Sequence, residues 1–294
     1  MTASRQTLAD LSLVAVTVIW GAMFVVVQKA IEDASTLLFL AMRFGLATVV
    51  LAAVFRRRAW PSGWDDAGRG GVLAGVCLFA GFAFQTAGLR YTTPARSAFI
   101  TGLAVVMVPL LGALVYRVWP RVFEIAGVIV AAAGMGLLTL QGEALRMSRG
   151  DALSLACAIA FAAQIVIVGH FCARGSFERL TMLQVGTAAL IAGASFWWLE
   201  KPYLKPAASL WTAVVVAAVL ATALAFAVQS WAQQYTSPTR AALIFAIEPV
   251  VAWLVSYWIT DEALTIQAAT GAALILAGVL TVELSRAPQT EPKP

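Results

Sequence analysis

Runs of about 20 apolar residues separated by short polar breaks recur along the whole chain. A helix needs about 20 residues to cross about 30 Å of hydrocarbon, so each run predicts a membrane-spanning helix. Ten are expected, near 11–31, 35–55, 70–89, 97–116, 122–141, 152–173, 180–199, 209–231, 241–259 and 264–284. The longest polar stretch, Arg56 to Arg69, predicts a loop, and the last ten residues, SRAPQTEPKP, predict a disordered tail. The first run has only Arg5 as a basic residue ahead of it and no small-residue cleavage site, so it is read as a retained helix. The predicted fold class is an all-α integral membrane protein. Too little chain remains outside the spans to form a soluble domain for ordinary enzymatic chemistry.

The pattern also repeats. Residues 81–100, GFAFQTAGLRYTTPARSAFI, match residues 225–244, AFAVQSWAQQYTSPTRAALI, at nine of twenty positions and an offset of 144. Gly127 and Gly134 match Gly271 and Gly278 at the same offset, whereas Pro109 matches Pro249 at 140. The unit therefore holds five spans. Because five is odd, the second copy enters the bilayer with the opposite orientation, a recurring plan of secondary transporters that rock around a site near the midplane. The expected organisation is a first five-helix repeat over 1–145, a second, inverted repeat over 146–284 and a tail over 285–294.

Composition agrees with this reading: 61% of residues are hydrophobic and 12% charged, and the mean hydropathy is +0.85. With the N-terminus in the cytoplasm, twelve Lys and Arg fall on the cytoplasmic side and seven on the other, so both termini are expected inside. The net charge of +5 is then mostly a topology signal, and no nucleic-acid partner is implied. Cys77, Cys157 and Cys172 have no ligand spacing and read as small apolar residues, with no metal or cofactor expected. Trp119, Trp197, Trp198 and Trp258 fall near span ends and suit interfacial belts. His170, the single histidine, ends the sixth span and reads as interfacial. Gly71-x-x-x-Gly75 permits close helix approach and is weak evidence for a dimer, which leaves the oligomeric state open.

Polar residues inside the spans carry the candidate chemistry. Glu248 falls about 10 Å along the ninth span, where a carboxylate costs about 2.5–3.5 kcal/mol on insertion scales and could carry a proton during transport. Pro249 follows it and cannot donate to the carbonyl of Phe245, which predicts a kink beside the acid. Pro109 is its counterpart in the fourth span. Arg43, about 12 Å into the second span, needs an anionic or carbonyl partner, either Glu248 or a substrate carboxylate. Counting along the repeat sets Arg43 against Leu183 and Glu248 against Val108, so each copy has a deep charge the other lacks. Gln85 and Gln229 must face protein or water, either as glue between helices or lining a cavity, and Gln164 could line that cavity or make a helix–helix hydrogen bond. Trp20 and Phe24, one turn apart, form a face that could stack on a substrate. Thr93-Pro94 and Ser237-Pro238 predict capped helix starts.

Trp20-Gly21 with Phe24, Arg43-Phe44 and Glu248-Pro249 resemble the W-G-x-x-F, R-F and E-P motifs of EamA-type members of the drug/metabolite transporter superfamily. The resemblance covers nearly the whole chain. It implies a multi-pass exporter or exchanger of small organic metabolites in the inner membrane, with a central cavity and no ATP-hydrolysing domain. Two departures bear on substrate: the sixth span lacks a Trp-Gly pair, and Thr260-Asp261-Glu262 stands where many members have Gly-Glu. The favoured expectation is alternating-access export of amino acids, related amphipathic compounds or drugs, with protons as a candidate coupling ion. An obligate exchanger of phosphorylated or nucleotide-linked sugars, as in related branches, would call for clustered Lys and Arg in the spans, where only Arg43 and the near-terminal Lys29 occur. An intramembrane enzyme would need a nucleophile–base pair, a metal cluster or paired acids at depth, so the chain is not expected to be an enzyme. A non-transporting structural or signalling protein would have no evident use for buried charges.

Overall fold

A computed structural model describes residues 2–56, 65–117, 119–139, 148–260 and 265–284. The expected tail, most of the 56–69 loop, the expected repeat boundary at 145/146 and the Asp261-Glu262 pair lie outside the described residues. The chain forms α1 (Thr2–Asp33), α2 (Thr36–Phe55), α3 (Asp66–Gly88), α4 (Pro94–Gly102), α5 (Ala104–Tyr116), α6 (Val122–Thr139) and α7 (Arg149–Phe171). It continues as α8 (Phe177–Leu199), α9 (Ala208–Ala218), a π-helical turn (Val219–Leu224), α10 (Ala225–Ala232), α11 (Pro238–Phe245), α12 (Glu248–Thr260) and α13 (Ile266–Leu284). Among the described residues, eight helical stretches are long and apolar enough to cross a membrane. Two shorter apolar helices, within α6 and α13, fill the fifth and tenth places.

Both hydroxyl–proline starts cap their helices. The Thr93 hydroxyl accepts from Arg96 N and the Ser237 hydroxyl from Arg240 N, each at 3.3 Å. At the start of α7, Ser148 and Asp151 exchange side-chain and backbone bonds in a capping box.

The fourth, eighth and ninth spans are composite. The fourth breaks between α4 and α5 and the ninth between α11 and α12, both ten residues after their N-terminal proline. The breaks share tightened turns: Leu103 N donates to Ile100 O (3.2 Å) and Val106 N to Leu103 O (3.0 Å) in one, Ile247 N to Ile244 O (3.1 Å) and Val250 N to Ile247 O (2.9 Å) in the other. Every one of these residues has its counterpart at the 144 offset. Glu248 therefore corresponds to Ala104, not to Val108 as the proline spacing suggested. Pro249 corresponds to Val105, so the break does not require a proline; Pro249 accommodates a break the fold makes in both copies. Pro109 lies one turn further on, inside α5.

Glycines set the close packing. A Cβ on Gly127 would meet Gly278 O at 2.7 Å and one on Gly134 would meet Gly271 O at 2.7 Å, so α6 and α13 pack backbone to backbone through equivalent residues of the two copies. That reciprocity is expected of a pseudo-two-fold axis between antiparallel partners. Along α3, Gly71 and Gly75 lie against Leu180 O and Gln184 O of α8. The Gly71-x-x-x-Gly75 stripe is therefore used inside the chain and gives no support to a dimer. Trp119, Trp197, Trp198 and Trp258 are all strongly exposed near helix ends. Cys157 and Cys172 are buried and Cys77 is half-buried. His170 stacks between the Tyr116 and Phe171 rings, which accounts for it by packing.

Candidate functional site

A cavity of about 790 Å³, counted out to its open mouth, lies between the two halves. Trp20, Phe24, Arg43, Gln85, Gln164, Gln229 and Glu248 all line it, although they come from α1, α2, α3, α7, α10 and α12. The broken spans supply part of the wall: Thr101, Gly102, Ala104 and Val105 flank the break in the fourth span, and Phe245, Ala246 and Glu248 flank that in the ninth. Pro249 and Pro109 are buried and do not line the cavity; Pro249 packs behind it, with its Cγ 3.5 Å from a Cβ built on Gly102.

Arg43 does not meet Glu248. Its Nε donates to the Thr222 hydroxyl at 2.7 Å and its Nη2 to Ala221 O at 3.3 Å, while the guanidinium lies 4.2 Å over the Phe82 ring. Of the two partners expected for Arg43, Glu248 is thus replaced by the π-helical turn of the eighth span. The wide turn makes this possible, because it breaks the regular i to i−4 ladder and leaves backbone carbonyls open to outside donors. The Thr222 hydroxyl itself donates to Ala217 O at 2.7 Å, five residues back. Trp20 uses the same turn: its indole N–H donates to Ala221 O at 2.9 Å, and its ring sits 5.3 Å from Phe226 and 5.1 Å from Phe245. Trp20 is both a wall of the cavity and a clasp between the halves.

The glutamines divide by engagement. Gln164 and Gln229 exchange amide bonds at 3.4 and 3.2 Å, and the Gln164 amide also donates to Gln184 Oε1 at 3.0 Å. Gln184 donates on to the Ser230 hydroxyl, Gln229 to Gln233, and Gln233 to Ile165 O. This chain is buried and ties α7, α8 and α10 together. Ser35 and Ser176, the residues before α2 and α8, stand 141 apart, a register that sets Arg43 against Gln184 and not Leu183. The second copy thus keeps a polar residue where the first has a charge. By contrast, the side chains of Gln85 and Glu248 are half-buried and make no hydrogen bond or ion pair with any described residue. They are the polar groups the cavity presents unengaged, within aromatic walls formed by Trp20, Phe24, Phe82, Phe161, Phe226 and Phe245.

Gln184 was legible as a lone amide in an apolar helix. Phe82 and Phe226 were legible only as a matched pair of the repeat, and Phe161, Phe245 and the π turn carried no signal.

A membrane-spanning helical chain folded as two inverted halves around a central, partly polar cavity is a multi-pass transporter in class. The EamA-like transporter family matches twice, over residues 7–140 and 148–284. An uncharacterized transporter of Archaeoglobus fulgidus is 32% identical over 280 residues, 95% of this chain and 87% of that one. The uncharacterized transporter YyaM of Bacillus subtilis is 25% identical over 252 residues, 82% of each chain. A solved crystal structure with 20% identity superposes with a TM-score of 0.77, covering 95% of this chain and 97% of its own, a likeness of fold. The chain belongs to the EamA-like transporter family.

Proposed function

We propose that this transporter resides in the cytoplasmic membrane with both termini inside and exports small amphipathic organic metabolites, amino acids or related compounds among them, by alternating access. Its two domains are the five-helix repeats, and the substrate sits between them. The observation that carries this reading is the pairing of an aromatic cavity with two unengaged polar side chains, Glu248 at the break of the ninth span and Gln85 on α3. An apolar body suits the rings, and a basic or hydroxyl group suits the carboxylate and amide. Glu248 is also the group through which a proton would be exchanged for substrate.

The phosphorylated-sugar alternative is disfavoured by the same geometry. Among the described residues, Arg43 is the one basic residue of the cavity wall, and two of its three nitrogens are held by Thr222 and Ala221. The test is counterflow in liposomes containing the purified protein, run over amino acids, drugs, sugars and sugar phosphates. Uptake of an amphipathic amine or amino acid above that of empty liposomes is expected. Uptake restricted to sugar phosphates would favour the alternative, and none over the whole panel would sink transport of these classes.

A further inference from the structure

Gly21 and Trp20 fix where the two deep charges stand. A Cβ on Gly21 would meet Glu248 O at 2.8 Å and Val251 Cβ at 2.6 Å, so α1 packs directly on the start of α12. From the neighbouring position the Trp20 indole reaches the π-helical turn, where its N–H donates to Ala221 O at 2.9 Å. Arg43 Nη2 bonds that same oxygen at 3.3 Å. The Glu248 backbone and the Arg43 guanidinium therefore lie at the two ends of one tryptophan side chain. Between them Trp20, Phe226 and Phe82 form a continuous band of rings, with successive centroids 5.3 and 6.1 Å apart.

The two ends offer different chemistry. At the Arg43 end the guanidinium lies 4.2 Å over Phe82, and the unengaged Gln85 amide stands one turn further along the same face of α3. Arg43 has spent Nε and Nη2 on Thr222 and Ala221, but its charge still makes this end positive and favours an acceptor oxygen on the Gln85 amide. At the Glu248 end, the cavity side chains flanking the two breaks include one hydroxyl among the described residues, Thr101, and its proton goes to Cys157 Sγ at 3.7 Å. An ammonium suits this end: Glu248 matches its charge, and Trp20 and Phe245, with centroids 5.1 Å apart, offer ring faces. An α-amino acid fits neither way round, because its ammonium and carboxylate share one carbon. Seating its ammonium on Glu248 brings its carboxylate up to the acid, and seating its carboxylate by Arg43 brings its ammonium up to the guanidinium.

Resting on the transporter reading above, we propose that the cavity selects amines functionalised at both ends. An ammonium is held by Glu248, an uncharged acceptor oxygen is held by Gln85 at the Arg43 end, and an aromatic or apolar body as long as a tryptophan side chain lies between them. A phenol, an alcohol or a carbonyl serves as the oxygen. α-Amino acids are the weaker ligands of this site.

The test is isothermal titration calorimetry on the purified full chain in detergent, with four probes that share one body and differ at its ends: tyramine, 2-phenylethylamine, 4-ethylphenol and tyrosine. Tyramine is expected to bind tightest, with 2-phenylethylamine and tyrosine each about ten-fold weaker and 4-ethylphenol weaker by about a hundred-fold. Two variants assign the ends. Gln85→Leu is expected to bring tyramine down to the level of 2-phenylethylamine, whereas Glu248→Gln weakens both amines about equally and narrows the gap between tyramine and tyrosine. Should either variant misfold, the order of the four probes on the parent decides by itself. Tyrosine binding as tightly as tyramine, tyramine binding no better than 2-phenylethylamine, or no binding of any probe overturns the proposal. Amino-acid counterflow beside tight tyrosine binding would overturn this ligand class and leave the transport reading standing. The expected order without counterflow of any compound would do the reverse.

Discussion

Glu248 and Arg43 are both deep and ionisable, yet the structure uses them differently. Arg43 spends its guanidinium on Thr222, Ala221 O and the Phe82 face, whereas the Glu248 side chain is left to the cavity. Replacing Arg43 should therefore harm the fold before it harms binding. Arg43→Gln is expected to lower stability by about 2–3 kcal/mol, read as a fall in thermal unfolding midpoint in detergent, because it strips a charged donor from two buried acceptors. Glu248→Gln, nearly the same shape, should leave that midpoint within about 0.5 kcal/mol of the parent. Trp20→Phe keeps the ring contacts and removes the indole donor to Ala221 O, so a loss of about 1 kcal/mol is expected by the same measurement. The seven candidates that line the cavity were legible, five as polar residues in apolar helices and Trp20 and Phe24 as one helix face, whereas its other rings, Phe82, Phe161, Phe226 and Phe245, were not singled out as cavity residues. What Arg43 and Trp20 bond to was not legible, because their partners lie in a π turn that has no signature in the run VLATAL.

Apart from α1, which begins nine residues before its expected span, the span ends were legible to within a few residues because span length is imposed by the bilayer and hydroxyl–proline starts carry their own capping chemistry, whereas the breaks in the fourth and eighth spans were not. Register between the copies was harder. Pro109 and Pro249 suggested one equivalence, but the breaks obey the spacing from Pro94 and Pro238. A proline tolerates a missing backbone bond and can move along a helix without moving the break that the packing requires. Glycine packing yields a sharp contrast. Gly134→Ala would push a methyl to 2.7 Å from Gly271 O and Ile275 N, both backbone, and is expected to cost about 2–3 kcal/mol or more. Gly45→Ala meets nothing within 4 Å in α2 and should be neutral or stabilising by up to about 1 kcal/mol. Thermal unfolding of the two variants side by side checks the pair. Likewise Thr222→Val, which keeps the volume and deletes the acceptor for Arg43, should cost about 1–3 kcal/mol while Thr222→Ser costs less.

At the scale of the whole molecule, doubling and inversion explain the architecture, and departures from symmetry explain the site. Gly127 and Gly134 meet Gly278 and Gly271 reciprocally, and the two cross-repeat ion pairs, Arg96 with Asp151 and Arg240 with Asp10, mirror each other. The cavity is where the copies part company: Glu248 against Ala104, Arg43 against Gln184, an unengaged Gln85 against an engaged Gln229. Arg43 and Gln184 are taken up by bonds between helices, so on the proposed reading it is Glu248, unshared and unengaged, that serves a task with a direction. That task is tested most directly by counterflow in liposomes with and without an imposed pH gradient, comparing the parent with Glu248→Gln on the best substrate of the panel. The account predicts uptake by the parent that responds to the gradient, and a Gln variant that folds, transports more slowly and no longer responds. A Glu248→Gln protein matching the parent in both rate and pH dependence would contradict it.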